Sequence, residues 1–291
     1  MKMVMGLSLF LVLLVAGCIL DPVSGYGGGV VIETFDTPFS EVYSGEPVGF
    51  RLKVRNTGTR DASSIMPVIT GLDDWVMKSD TCMMGWDTLG AADPSIGSAG
   101  GTENCEWTYF APEVPKGLTS TYSPAVRLYY GYSSSMVKNI MFASSEELRL
   151  MKDSGQTIPV QTASQTSGPV QIDIETQNPI RFWGGMVTFP LKITIKNSGG
   201  GVVCPSVSDC EAGQNLNKIS LDLSSSGDIS FSDCEVSSID LWQGKENILV
   251  CQATFSGLSD QETAQRTILI NADYGYYVDS ETTVRVTKRI D

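Results

Sequence analysis

Histidine is absent from the 291-residue chain. With it go the Ser-His-Asp and Cys-His nucleophile arrangements and every histidine-ligated metal site. Positive charge is scarce: 20 Lys and Arg stand against 33 Asp and Glu, a formal net charge of −13. Nucleic-acid affinity rests on cationic side chains that displace counterions, so no nucleic-acid partner is expected. No Cys-x-x-Cys pair occurs, and no glycine-rich loop leads into Lys-Ser/Thr, so neither a zinc knuckle nor a phosphate loop is expected. Metal and cofactor are therefore expected to be none. No Asn-x-Ser/Thr sequon is present. Helical periodicity is nearly missing, and a long apolar run occurs only at the N-terminus.

That run, Met3 to Ala16, follows Lys2 and ends Leu14-Val15-Ala16-Gly17-Cys18. It is shorter than the roughly 20 residues a membrane-spanning helix needs, and it has the form of a secretory signal's apolar region. The last five residues resemble the lipobox of prokaryotic lipoproteins. The resemblance implies a signal peptide at 1–17 and a diacylglyceryl group on Cys18, with the membrane as partner through that lipid. A plain cleaved signal and a short uncleaved anchor are the alternatives. Residues 18–29 end in Ser24-Gly25-Tyr26-Gly27-Gly28-Gly29 and read as a flexible tether.

Setting Cys18 aside leaves six cysteines: Cys82, Cys105, Cys204, Cys210, Cys234 and Cys251. Export permits disulfides. Independent halves would pair Cys82 with Cys105, while the second half allows three pairings. An internal repeat favours Cys204–Cys210 with Cys234–Cys251. Its first block is Gly45-Glu46-Pro47-Val48-Gly49-Phe50-Arg51-Leu52-Lys53-Val54-Arg55-Asn56-Thr57-Gly58 against Gly185 to Gly199. Apolar residues alternate with polar ones in both, the period of a strand with one buried face. Each strand runs into an Asn-x-Gly turn signal. The second block sets Cys105, Trp107 and Tyr109 against Cys251, Ala253 and Phe255. The third sets Tyr130-Gly131-Tyr132 against Tyr274-Gly275-Tyr276. Strand alternation places Tyr130 and Tyr132 on one face and Tyr129 on the other, and core packing is the expected role of these rings.

The fold class expected is all-β: two tandem antiparallel β-sandwiches, at 30–143 and 169–291. Between them, 144–168 reads as a short helix capped by Ser144 and Glu147, followed by a Gln/Thr/Ser-rich linker. The strand ending in Asn-x-Gly, at about 30–70 and 170–205, resembles the CARDB-like, immunoglobulin-type adhesion modules of bacterial and archaeal surface proteins. The whole chain is similar to archaeal surface lipoproteins. These resemblances imply immunoglobulin-like domains on the outer face of the cell membrane.

Chemistry is thinly signalled. Asp73, Asp74 and Trp75 form a carboxylate pair beside an aromatic ring, a pattern suited to a sugar or Ca²⁺, and are the possible ligand-binding residues. Asp273, Asp279 and Glu281 flank the second tyrosine group without calcium-loop spacing. Gly90–Asn104 reads as a display loop held by the Cys82–Cys105 pair. No catalytic residue is expected; a carboxylate-pair hydrolase is the alternative. The expected function is a membrane-anchored extracytoplasmic binding or structural protein: adhesion, envelope scaffold or accessory subunit. The alternative is a carbohydrate-binding protein or a non-catalytic partner of a surface enzyme. The partner is thus an envelope protein or a glycan.

Overall fold

The computed structural model describes residues 28–183, 185–234, 238–256 and 263–289. The signal peptide, Cys18 and the tether up to residue 27 lie outside the described residues. The protein is predominantly β-strand, in several sheets.

Two small four-stranded sheets correspond by the repeat. The first orders strands Val30–Asp36, Pro47–Asn56, Thr102–Phe110 and Val76–Asp80; the second orders Val170–Glu175, Met186–Asn197, Glu246–Ser256 and Ile229–Ser232. Alternation gives each a buried face. Val48, Phe50, Leu52 and Val54 are buried, as are Phe189, Leu191, Ile193 and Ile195. Cys82–Cys105 and Cys234–Cys251 staple corresponding places in the two copies, and Cys204–Cys210 closes the third disulfide. This is the pairing the repeat favoured.

The other layer is common to both copies. Strands Ala125–Ser144 and Thr263–Glu281 pair antiparallel along their length. The same register continues where Thr119–Tyr122 meets Val284–Thr287. Thr119 faces Thr287, Gly131 faces Gly275, and Ala143 faces Thr263, with no slip. Gly131 and Gly275 are repeat equivalents, so the ribbon has a pseudo-twofold centre between them. Each strand therefore starts on one copy and ends on the other. Phe142, from the first half of the sequence, stacks on Phe255 at 4.2 Å and meets Phe189 edge-on. Val284 and Val286, from the end of the chain, are fully buried beside strands Glu41–Tyr43 and Thr119–Tyr122 of the first half. The parallel pairing of Glu41–Tyr43 with Val284–Thr287 repeats that of Ile180–Phe182 with the end of Ala125–Ser144. The copies thus share one sheet and exchange strands across it.

The waist at the pseudo-twofold is held by four tyrosines on the inner face, as the alternation predicted. Tyr274 Oη accepts from Val170 N, and it shares a 2.8 Å hydrogen bond with Ser134 Oγ. Tyr130 bonds the backbone of Val30, the equivalent of Val170. Tyr132 Oη accepts from Arg60 N, and Tyr276 Oη accepts from the equivalent Gly201 N. The Asn-x-Gly signals do the same work twice. Asn56 Nδ2 donates to Arg60 O and Leu89 O, and Asn197 Nδ2 donates to Gly201 O and Gly244 O. Each Oδ1 accepts from the glycine two residues on. Amides satisfied in this way, Asn56 buried and Asn197 half-buried, fix the turn geometry.

Burial raises these phenols. Tyr276 is pushed up to about 12 despite bonds from Gly201 and to Asn197, and Tyr274 is raised further, by burial first. A raised phenol favours the protonated fold. Its stabilisation is complete below the ordinary tyrosine value of 10.0 and is lost as pH climbs through about 12. We expect a cooperative alkaline unfolding in that window, with tyrosinate absorbance and loss of circular dichroism rising together. Tyrosines that all ionise near pH 10 with the structure intact would contradict the packed waist.

Three expectations change in detail. Ser144 Oγ does accept from Glu147 N, and the helix runs Ser145–Asp153. The linker behind it is partly built in: Ala163–Gln165 pairs with Met136–Lys138, and Ser167 bonds Thr59. The loop read as Gly90–Asn104 ends earlier, because a strand begins at Thr102. Gly28 and Gly29, read as the end of the tether, are buried against Gly58 and Pro169.

Candidate functional site

Asp73 and Asp74 stand at the surface, but Trp75 does not stand beside them there. The chain turns after strand Ala62–Thr70, leaving both carboxylates in solvent and driving Trp75 inward. Its ring is buried, edge-on to Phe50 at 5.8 Å and to Tyr122 at 5.4 Å. A ring that fills the core has no face to offer a sugar. Asp273, Asp279 and Glu281 do not converge either. Asp279 takes two hydrogen bonds from Arg127, at 2.7 and 2.8 Å. Among the described residues no group of three His, Cys, Asp or Glu is placed to hold a metal ion.

The outer face of the shared sheet carries a shallow groove of about 530 Å³, lined by Val68, Thr70, Arg127, Tyr129, Asp279 and Glu281 among others. The Arg127 guanidinium lies 4.1 Å from the centre of the Tyr277 ring, which leans on Tyr129 at 5.7 Å. Both rings are nearly covered, at 9% exposure, so the groove offers polar side chains and no open aromatic face. Nearby, the strand pairing of the second copy breaks after Cys204 and resumes at Asp222. The insert includes a helix, Val207–Glu211, and is closed by Cys204–Cys210. It rests on Gly275, where a Cβ would come within 2.3 Å of the Ser206 backbone.

The uncovered face of the second small sheet differs. Here Met186, Ile248 and Val250 are at least half exposed. In register beside them stand Thr188, Pro190, Thr194, Gln252 and Thr254, with Ser230 and Ser232 on the edge strand. Thr188 and Thr254 hydroxyls bond across the strands at 3.0 Å. Lys192 is paired with Glu175, and Lys196 stands opposite Glu246. Two tryptophans mark the ends. Trp242 is 73% exposed on a tight turn in which Gln243 and Gly244 both have positive φ. Trp183 is 82% exposed, bridged to Met186 at the other end. It borders a cavity of about 240 Å³ with Phe182 and Ser144 to Glu146. Sequence reasoning passed over both tryptophans. The signal available was their position beside glycine-bearing turns, which carry rings outward.

The corresponding face of the first small sheet is charged. Arg51 pairs with Asp36, and Lys53 and Arg55 both pair with Glu33. In repeat terms Asn104 and Glu106 there become Val250 and Gln252.

No protein-family model matches the chain, and no curated protein does. Among solved structures, the secreted serine protease VesC from Vibrio cholerae aligns at 10% identity with a TM-score of 0.21. The alignment covers 90% of this chain and 52% of that one, so this chain spans about half of its length. A superposition that loose carries no argument about fold or activity.

Proposed function

We propose that the chain is a membrane-tethered extracytoplasmic binding protein, of the adhesion, scaffold or accessory-subunit kind, built from two immunoglobulin-like repeats. The observation that carries the reading is the exposed apolar and hydroxyl-rich face of the second small sheet, which is stapled by Cys234–Cys251. Such patches on a stable sheet serve recognition. Three disulfides support an oxidising compartment. The lipobox-like Leu14–Cys18 supports the tether, since two acyl chains anchor a protein stably where one does not.

The tether is tested on the wild-type chain by mass spectrometry of its N-terminal peptide and by membrane fractionation. The expected result is a diacylglyceryl mass on Cys18 and membrane retention, with Cys18→Ser left unlipidated. An unmodified N-terminus downstream of Cys18 overturns the lipid anchor. The binding role is tested by cross-linking in the native envelope, where a specific covalent partner is expected. Recovery of only uncross-linked chain overturns it.

A further inference from the structure

We propose that the uncovered face of the second small sheet binds a neutral, extended polysaccharide; this rests on the reading of the chain as a binding protein and names its ligand class. Three observations point to a sugar polymer. First, Lys192–Glu175, Asp173 and the Lys196–Glu246 end keep the charges of this face to one side and one end, and the side chains toward the edge strand, from Ile248 to Thr254 and at Ser230 and Ser232, are apolar, hydroxyl or amide groups, in a chain whose net charge is −13. An acidic partner would be repelled by the chain as a whole, and a basic one would find its counter-charges elsewhere. An uncharged partner covering the part of the face toward the edge strand desolvates no charge. Second, the hydroxyl and amide groups are spaced by strand geometry, with Thr254 and Gln252 on one strand and Thr188 on its neighbour. A polyol chain lying along the sheet meets donors and acceptors at repeated intervals. Third, the exposed rings stand at both ends. Sugar rings present apolar C–H faces that pack on indole, the type of contact in which aromatics dominate binding energy. From Met186, next to Trp183, to Lys196, opposite Glu246 and its bridge partner Trp242, the strand advances ten residues, about 34 Å at its usual rise. That length suits a polymer and exceeds any single sugar.

The first small sheet is the internal comparison. Arg51–Asp36 there is the counterpart of Lys192–Glu175, but the matching face also carries Glu33 paired with Lys53 and Arg55, and Asn104 and Glu106 where the second sheet has Val250 and Gln252, and it should bind nothing neutral.

The test uses the full mature chain in detergent. Retention is measured on cellulose, chitin and a mixed-linkage β-glucan, with alginate as the anionic control. The expected result is retention on at least one neutral polymer and none on alginate. Trp242→Ala and Trp183→Ala each weaken it tenfold or more, and Arg51→Ala leaves it unchanged. Both tryptophans are exposed, so their removal leaves the core intact; melting curves of the variants confirm it. No retention on any neutral polymer overturns the assignment, as does retention that survives the double tryptophan variant. Concentration-dependent self-association that Val250→Lys abolishes would assign the face to a second copy of the chain. That outcome overturns the glycan and leaves the binding-protein reading standing, whereas only the envelope cross-linking can remove the latter.

Discussion

Residues 28–155, expressed without the rest of the chain, are expected to show no cooperative unfolding transition; adding residues 156–289 is expected to restore one. In the fragment, Phe142 loses its ring contacts with Phe189 and Phe255, Met136 and Ile140 lose the strand Thr263–Glu281 beside them, and the first copy loses Val284 and Val286, all fully or nearly fully buried. Each such side chain contributes about 1.5–3 kcal/mol when buried. Five of them exceed much of the roughly 5–15 kcal/mol by which a domain is stable. The fragment also loses the long pairing of Ala125–Ser144 with Thr263–Glu281, leaving an open edge prone to aggregation. Calorimetry of each fragment and of their mixture checks this. A sharp melt from 28–155 alone would show that the first repeat folds without its exchanged strands.

Phe142→Ala is expected to cost about 3–5 kcal/mol, the usual loss when a buried phenylalanine leaves a cavity. The place where the loss appears is the sharper result. Phe142 belongs to the first copy by sequence, yet its ring stacks on Phe255 and meets Phe189. Hydrogen exchange should therefore accelerate most in Met186–Asn197 and Glu246–Ser256, and least in Pro47–Asn56. Acceleration centred on Pro47–Asn56 would place Phe142 in the wrong core.

What could be read from the sequence and what could not follow from the range of the signals. Val48 to Val54 and Phe189 to Ile195 announce their buried faces because alternation is a local property. The tyrosine faces and the disulfide pairs were legible for the same reason, helped by the repeat. The exchange of strands was not. Gly131 faces Gly275 across 144 positions of sequence, and nothing in either neighbourhood states which copy the next residues join. The repeat suggested two separate units because it records ancestry of segments, while their placement depends on register between distant strands. Asp73-Asp74-Trp75 misled because a loop has no period. Without alternation, Trp75 gave no sign of pointing inward. Trp183 and Trp242 carry little signal for the converse reason: they stand singly at turns, outside any cluster or alternation.

The burial of Gly28 and Gly29 at the waist has a mechanical consequence. The chain arrives at the middle of the molecule, beside Tyr130 and Pro169, and not at either end. If Cys18 holds two acyl chains, the eleven steps from it to Gly29 extend at most about 40 Å. The molecule would then be suspended from its balance point, like a beam from a central cord, and not planted upright like a post. Both lobes would ride at a similar height above the bilayer, free to tilt like a see-saw.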